Sequence, residues 1–216
     1  MKKNVALVLS SGGSRGCAHI GAINMLEKNG YKITSVAGTS MGALVGGIYA
    51  TGQLQQFEEW ISSLDILEVL RLIDFSISKK GLVKGKKIID KIRLFVLELY
   101  IEFLSIPFFS LATDIIGETE AVFTEGNLFK AIRASISIPT VFQPVKIGDR
   151  YFVDGGLTNP IPVNRVKRNK DDLLVVVNVS SPVTYEKKSI EAEKLSDNKY
   201  SEQIKLIKEK LNNLIP

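Results

Sequence analysis

A serine lies between two glycines at residues 38–42, in the order Gly38-Thr39-Ser40-Met41-Gly42. This spacing is typical of hydrolases that present a nucleophile on a sharp turn between a strand and a helix. Such a serine needs a base, and histidine is the usual one. The only histidine, His19, precedes the serine, whereas the common α/β-hydrolase order places histidine last. That triad is excluded, so either another group activates Ser40 or the serine is an ordinary helix N-cap.

The elements around Ser40 are predicted from hydrophobic pattern and glycine placement. Val5–Leu9 is a continuous apolar run, as in a parallel strand that is covered on both faces. A helix is predicted over Ala18–Asn29, ended by Gly30, and a second strand over Ile33–Ala37. Small residues over Ala43–Thr51 predict a closely packed helix. Ser40 would then lie at a helix N-terminus, where the helix dipole favours developing negative charge.

Glycine and serine crowd the first turn, Ser10–Gly16. A dinucleotide fingerprint would need glycine at Ser11 and an acidic residue about 20 positions further on, and a phosphate-binding P-loop would need Gly-Lys-Ser/Thr. An oxyanion hole needs N–H groups free of side chains, which Gly12 and Gly13 supply, and Arg15 would add a cation or be a surface arginine. The oxyanion hole is favoured, and a nucleotide-binding regulatory protein is an alternative that rests on this loop alone.

Without a suitable histidine, the base must be sought among carboxylates. Asp154 closes a predicted strand and opens a turn with Gly155 and Gly156, where α/β sheets place their sites. An ordinary aspartate has a pKa near 3.9, but partial desolvation and a short hydrogen bond would make it a better base. The alternative is an Asx turn. Asp114 is interpreted as structural, and His19 as a packing residue.

The rest of the chain alternates strands and helices without a repeat or a linker. Residues 53–104 are mostly helical in pattern, and Phe57 and Trp60 with these helices predict either a lid or acyl groove, or core packing. The later elements are strands at Pro107–Ala112, Ala121–Thr124 and Leu173–Val179, a helix at Leu128–Ser135, and a hairpin from Val145 to Val153. This alternation predicts a single three-layer α/β/α domain over 1–216 with a mostly parallel central sheet.

Within that domain, residues 1–180 carry the motifs, and residues 181–216 form a charged helical segment. Its apolar stripe, Ile204, Ile207, Leu211 and Leu214, lies beside Lys199, Lys205, Lys208 and Lys210. Such a helix either docks on the domain as a solvated element or contacts an anionic membrane peripherally.

Composition sets outer limits on function. A net charge of +5 permits attraction to anionic surfaces without demanding it, and we expect no nucleic-acid partner. The basic N-terminus is followed by an apolar run too short for a secretory signal, which predicts a cytoplasmic protein, with peripheral membrane contact left open. No metal-ligand spacing is visible, so we expect neither metal nor cofactor. The oligomeric state is not determined by the sequence.

Several stretches in this order resemble the patatin-like phospholipase family. The first runs from Leu9 through the glycine loop to Gly21, and the second is Gly38–Ala43. The others are Ile106–Phe108 with Ala112–Asp114, then Ala131–Pro139, and finally Asp154–Pro160. The likeness covers the chain to about Ser180.

The resemblance implies a lipid acyl hydrolase of phospholipase A or lysophospholipase type, acting without a catalytic histidine. It implies Ser40 as nucleophile, Asp154 as base, and an oxyanion hole at Gly12 and Gly13 with Arg15 nearby. The glycines of its motifs are Gly16, Gly38, Gly42, Gly155 and Gly156. A catalytically silent member that binds a lipid or a partner is the alternative. The chain has Ser11 where the family has glycine, and members usually continue with further α/β structure after Leu173–Val179, so the chain is either truncated or compact.

Overall fold

The computed structural model describes residues 3–64 and 86–182. The compact unit that contains the motifs spans residues 1–181. One predicted feature lies outside the described residues: the C-terminal helix with its basic and apolar stripes.

Seven strands form one sheet in the described residues. They are β1 (Asn4–Leu9), β2 (Lys32–Thr39), β3 (Phe108–Asp114), β4 (Thr119–Phe123), β5 (Val145–Ile147), β6 (Arg150–Asp154) and β7 (Leu173–Val177). β7, β1, β2 and β3 are parallel neighbours, while β4, β5 and β6 run antiparallel to theirs. The predicted α/β class with a mostly parallel central sheet is confirmed.

Five α-helices and three 3₁₀ helices are described. The α-helices are α1 (Ala18–Lys28), α2 (Met41–Ala50), α3 (Leu54–Ser63), α4 (Lys86–Ile92) and α5 (Leu128–Ser135). The 3₁₀ helices span Gly13–Cys17, Ile101–Phe103 and Gly155–Leu157. None of the described helices is long and apolar enough to cross a membrane.

The sheet is covered on both faces. Alternate side chains of β1, such as Leu7 and Leu9, join the helices in one hydrophobic core. On the other face the segment after β6 crosses β2, where the hydroxyl of Ser35 donates to the Lys167 carbonyl and that of Thr39 to the Asn159 carbonyl. Covering both faces explains why β1 is apolar along nearly its whole length.

One edge of β3 is shared by two strands. β4 pairs with Ser110–Asp114 along one edge. Along the other edge, β2 pairs with β3 as far as Leu111, and β6 pairs with it from Ala112 onward. The carboxyl end of β2 thus meets the carboxyl end of β6 at the middle of β3.

The helical prediction for residues 53–104 is wrong in its later part. After α4 the chain turns, and Tyr100 forms an antiparallel bridge with Asn127. The Ile101 N–H donates to Gly126, and the Leu128 N–H donates to Leu99. These long-range backbone bonds keep Leu99 and Tyr100 out of a helix in spite of their helical pattern, and only a short 3₁₀ turn follows at Ile101–Phe103.

Candidate active site

Ser40 occupies a strained turn between β2 and α2. Its φ is 55° and its ψ −121°, a conformation that non-glycine residues adopt at a cost of about 1–3 kcal/mol. A Cβ on Gly38 would lie 2.3 Å from the carbonyl oxygen of Gly42, and a Cβ on Gly42 would lie 2.3 Å from that of Leu9. The turn therefore closes so tightly on itself and on β1 that only glycine fits on either side of the serine.

The side chains of Ser40 and Asp154 meet directly. The Ser40 hydroxyl donates to Asp154 Oδ2 at 2.6 Å and makes no capping bond to α2. The other oxygen, Oδ1, accepts the Gly156 N–H at 2.8 Å. Asp154 therefore makes the Asx turn that was the alternative to a base, and it binds Ser40 with its second oxygen.

The register of β3 brings the pair together. Thr39, the last residue of β2, pairs with Leu111, and Asp154, the last residue of β6, pairs with Ala112. Two consecutive residues of β3 thus hold the ends of both strands. A Cβ on Gly155 would lie 2.4 Å from the Leu111 carbonyl oxygen, so the turn after Asp154 also needs glycine.

Burial sets the electrostatics of the pair. Ser40 is 5% exposed and Asp154 is 7% exposed. Burial raises the pKa of Asp154 above its ordinary value, because a carboxylate loses hydration there. The hydrogen bonds from Ser40 and Gly156 act in the opposite direction, since they favour the charged form. The net shift upward makes Asp154 a stronger base than an exposed aspartate.

The glycine loop packs beside this turn. Gly13 has a φ of 55°, and the 3₁₀ helix that it begins approaches α2 so closely that a Cβ on Gly16 would lie 2.2 Å from Met41 Cγ. Among the described residues, the N–H groups of Gly12 and Gly13 have no hydrogen-bond acceptor. Two free donors beside a serine are what an oxyanion hole requires.

Ser11 and Arg15 flank that loop differently. Ser11 is outside the left-handed region, and its N–H donates to the Pro160 carbonyl at 2.8 Å, so a side chain is tolerated where the family has glycine. Arg15 is exposed, and its side chain has no bonded partner in the part of the chain that the structure describes. A role for Arg15 at the oxyanion stays a prediction.

His19 and Asp114 have structural roles. His19 is fully buried, its Nε2 donates to the Ser10 carbonyl at 2.9 Å, and burial lowers its pKa. Asp114 Oδ1 accepts the N–H groups of Ile116 and Gly117 in the turn after β3. No three His, Cys, Asp or Glu side chains come together as metal ligands within residues 3–64 and 86–182.

An apolar cavity of about 360 Å³ adjoins Ser40. Gly13, Ser14 and Cys17 line it on one side of the serine. The rest of its wall is mainly aliphatic and aromatic, with Leu44, Phe57, Trp60, Ile92, Ile136 and Phe142. Phe57 and Trp60 therefore do both things that were predicted as alternatives, since they belong to the core and also line a groove.

No motif in the sequence indicated a role for Ser135, which contacts Ser40. The Ser40 N–H donates to Ser135 Oγ at 2.8 Å. Ser135 follows Leu128 and Ile132 on the buried face of α5. A serine in an apolar helical stripe is the signal that would have drawn attention to it.

Comparison with known proteins identifies relatives of this chain. Residues 7–166 match the family model of patatin-like phospholipase. An uncharacterised NTE family protein of Mycobacterium tuberculosis is 44% identical over 176 residues, which are 82% of this chain and 49% of that protein. The mouse patatin-like phospholipase domain-containing protein 6 is 30% identical over 186 residues, 82% of this chain and 14% of that protein.

A solved structure shares the fold at low sequence identity. VipD from Legionella pneumophila superposes with a TM-score of 0.52 and 15% identity, over 81% of this chain and 49% of that one. The chain spans about half the length, or less, of the curated relatives cited. Since the family model covers most of the chain and these relatives match it over four-fifths of its length, the chain belongs to the patatin-like phospholipase family.

Proposed function

We propose that this protein is a serine acyl hydrolase that cleaves fatty-acyl esters of lipids, in the manner of a phospholipase A or a lysophospholipase. The observation that carries the proposal is the 2.6 Å hydrogen bond from the Ser40 hydroxyl to Asp154. Membership of the patatin-like phospholipase family supports a lipid substrate.

In the first half of the reaction, Asp154 takes the hydroxyl proton while Ser40 Oγ attacks the ester carbonyl carbon. The carbonyl oxygen becomes an oxyanion, for which the N–H groups of Gly12 and Gly13 are donors. The ester C–O bond then breaks, the alcohol leaves with the proton from Asp154, and the acyl group stays on Ser40.

The second half repeats these steps with water. Asp154 takes a proton from a water molecule, whose oxygen attacks the acyl-serine carbonyl. The bond to Ser40 Oγ breaks, Ser40 recovers its proton from Asp154, and the fatty acid is released. One carboxylate thus serves as base and then acid in each half, a role for which a raised pKa is suited.

The apolar cavity supplies the preference for a fatty-acyl ester. Its walls are mainly hydrocarbon, and Ser40 is part of its lining. Each CH₂ group of an acyl chain that enters it contributes about 0.8 kcal/mol of burial free energy. Long-chain esters are therefore expected to have a lower KM than acetate esters of the same alcohol.

The dyad is tested with Ser40→Ala and Asp154→Asn on a p-nitrophenyl fatty-acyl ester and on phospholipid vesicles. We expect Ser40→Ala to abolish turnover and Asp154→Asn to lower kcat by about 10²–10⁴-fold, the usual contribution of a general base. Wild-type kcat/KM should fall as pH drops through the raised pKa of Asp154, because only the carboxylate accepts the proton.

Asp114→Asn is the matched control, since Asp114 is also a buried aspartate at the end of a strand. Its Oδ1 bonds to backbone N–H groups can be kept by asparagine, so this variant should retain wild-type kcat. Full turnover by either dyad variant would rule out the dyad.

A further inference from the structure

We infer that Ser135 is a positioning residue for this reaction, because its hydroxyl is inserted between the N–H of the nucleophile and the carbonyl of β3. The inference rests on the proposed function for its catalytic consequence, but not for its geometry. Ser135 belongs to the stretch Ala131–Pro139, which resembles the family and has no role in the mechanism above.

The contacts of Ser135 form a relay between two backbone groups. Its Oγ accepts the Ser40 N–H at 2.8 Å and donates its own proton to the carbonyl of Leu111. Ser135 is fully buried at the end of α5. Both hydrogen bonds are therefore shielded from water, which would otherwise compete for these groups.

The register of β2 and β3 shows what this hydroxyl replaces. In their parallel ladder the Val36 N–H donates to the Pro107 carbonyl, and such bonds recur every two residues along both strands. The same series continued to the end of β2 would join the Ser40 N–H directly to the Leu111 carbonyl. The Ser135 hydroxyl stands in that position and bonds to both groups.

The insertion allows the dyad to form. With an added oxygen between the strands, β2 separates from β3 at Ser40. The next residue of β3, Ala112, then pairs with Asp154 instead. The Asp154 N–H donates to the carbonyl of Ser137 at 2.9 Å. The short segment Ser135–Ser137 therefore bonds to the backbones of both dyad residues and determines their separation.

The relay also limits which N–H groups can bind the oxyanion. Because the Ser40 N–H is already donated to Ser135, it is not available to the oxyanion. The positive φ of Ser40 is retained by the same bond, since rotation of that peptide would break it. Ser135 thus acts through Ser40, by keeping the hydroxyl within reach of Asp154, and needs no contact with substrate.

The test compares Ser135→Ala with Ser110→Ala. Ser110 is the matched control because it is also a fully buried serine whose hydroxyl links β3 to α5, by a bond to the Ala131 carbonyl. We expect Ser135→Ala to lower kcat on a p-nitrophenyl ester by about 10²-fold, as misplacement of a reacting group does, with KM nearly unchanged. Ser110→Ala should keep the wild-type kcat, whatever its melting temperature.

A second measurement needs neither turnover nor a variant. Residue-resolved hydrogen exchange of the wild-type protein should show a protected Ser40 amide beside a faster Met41 amide, which lacks an acceptor among the described residues. An unprotected Ser40 amide, or a kcat of Ser135→Ala equal to that of Ser110→Ala, would overturn the inference. A protected amide in a wild-type protein without esterase activity would instead retain the relay and reject the proposed function.

Discussion

The two turns that follow β1 and β2 both depend on glycine, but for different physical reasons. At the serine turn, a Cβ on Gly38 or Gly42 would lie 2.3 Å from a backbone oxygen. At the glycine loop, a Cβ on Gly13 would meet nothing within 4 Å, and a Cβ on Gly12 would meet the side chain of Val179. The serine turn is closed by backbone contact, whereas the glycine loop is defined by its backbone conformation.

This difference separates the tasks of the two turns. Backbone atoms within a sheet cannot move without disturbing their ladders, so the serine turn tolerates little change. The glycine loop has free N–H groups and open space on one side, which suits a site that must admit a substrate oxygen. Under the proposed mechanism, neighbouring turns thus combine rigidity at the nucleophile with access at the oxyanion site.

Gly42→Ala should have the largest effect on the fold. The added methyl group meets the carbonyl of Leu9, the last residue of β1, which is paired on both sides with β2 and β7, and overpacking against backbone that cannot shift costs about 3 kcal/mol. We expect the melting temperature to fall by roughly 10 °C, with activity lost, as circular dichroism and an esterase assay would show. A variant as stable as the wild type would mean that the serine turn is not closed by backbone contact.

Gly13→Ala should have a smaller effect on stability and a separate effect on activity. The methyl group has room, but the φ of 55° is unfavourable for alanine by about 1–2 kcal/mol. We expect a folded protein with a slightly lower melting temperature and a kcat reduced by about 10-fold, less than complete loss of an oxyanion donor would cause. A loss of stability equal to that of Gly42→Ala would remove the distinction between the turns.

Asp154→Asn should have the smallest effect on stability, and of the opposite sign. Because burial raises the pKa of Asp154 above 3.8, the unfolded chain ionises first as pH rises. The wild type therefore loses stability as pH increases through the folded pKa, whereas asparagine does not titrate. The variant should melt above the wild type at pH 7, and this gap should close below pH 3.8.

Melting curves at several pH values would measure that difference. A gap that widened on acidification would mean that the folded state lowers the pKa of Asp154. The expected outcome would show that the charged Asp154 carboxylate lowers the free energy of unfolding, whereas the glycines of the serine turn raise it. Under the proposed function, that loss of stability accompanies the reactivity of Asp154.

Much of the fold could be predicted because local pattern and tertiary structure agree. The apolar run at Val5–Leu9 and the alternation at Val145–Val153 became β1 and the β5–β6 hairpin nearly as predicted. The non-helical form of Leu99 and Tyr100 could not be predicted, since it depends on backbone bonds that this segment makes to residues 126–128. Contacts of that range leave no trace in a local pattern.

For the site, turn chemistry could be interpreted from the sequence, but strand register could not. Glycines marked all three turns, because close backbone approach at the serine and Asp154 turns and a positive φ in the glycine loop disfavour other residues. The insertion of Ser135 depends on the point at which β2 leaves β3, which only the register defines. The apolar stripe of α5 marks Ser135 as unusual, but it does not indicate which backbone groups the hydroxyl binds.

The most direct test of the account is covalent labelling with a fluorophosphonate, followed by intact mass analysis and peptide mapping, with Ser40→Ala as the control. An activated serine beside free N–H donors should form a single adduct, located on the peptide that contains Gly38–Gly42, and the control should form none. An adduct on a different residue, or no adduct on a folded wild-type protein, would contradict the assignment of Ser40 and Asp154 as a catalytic pair.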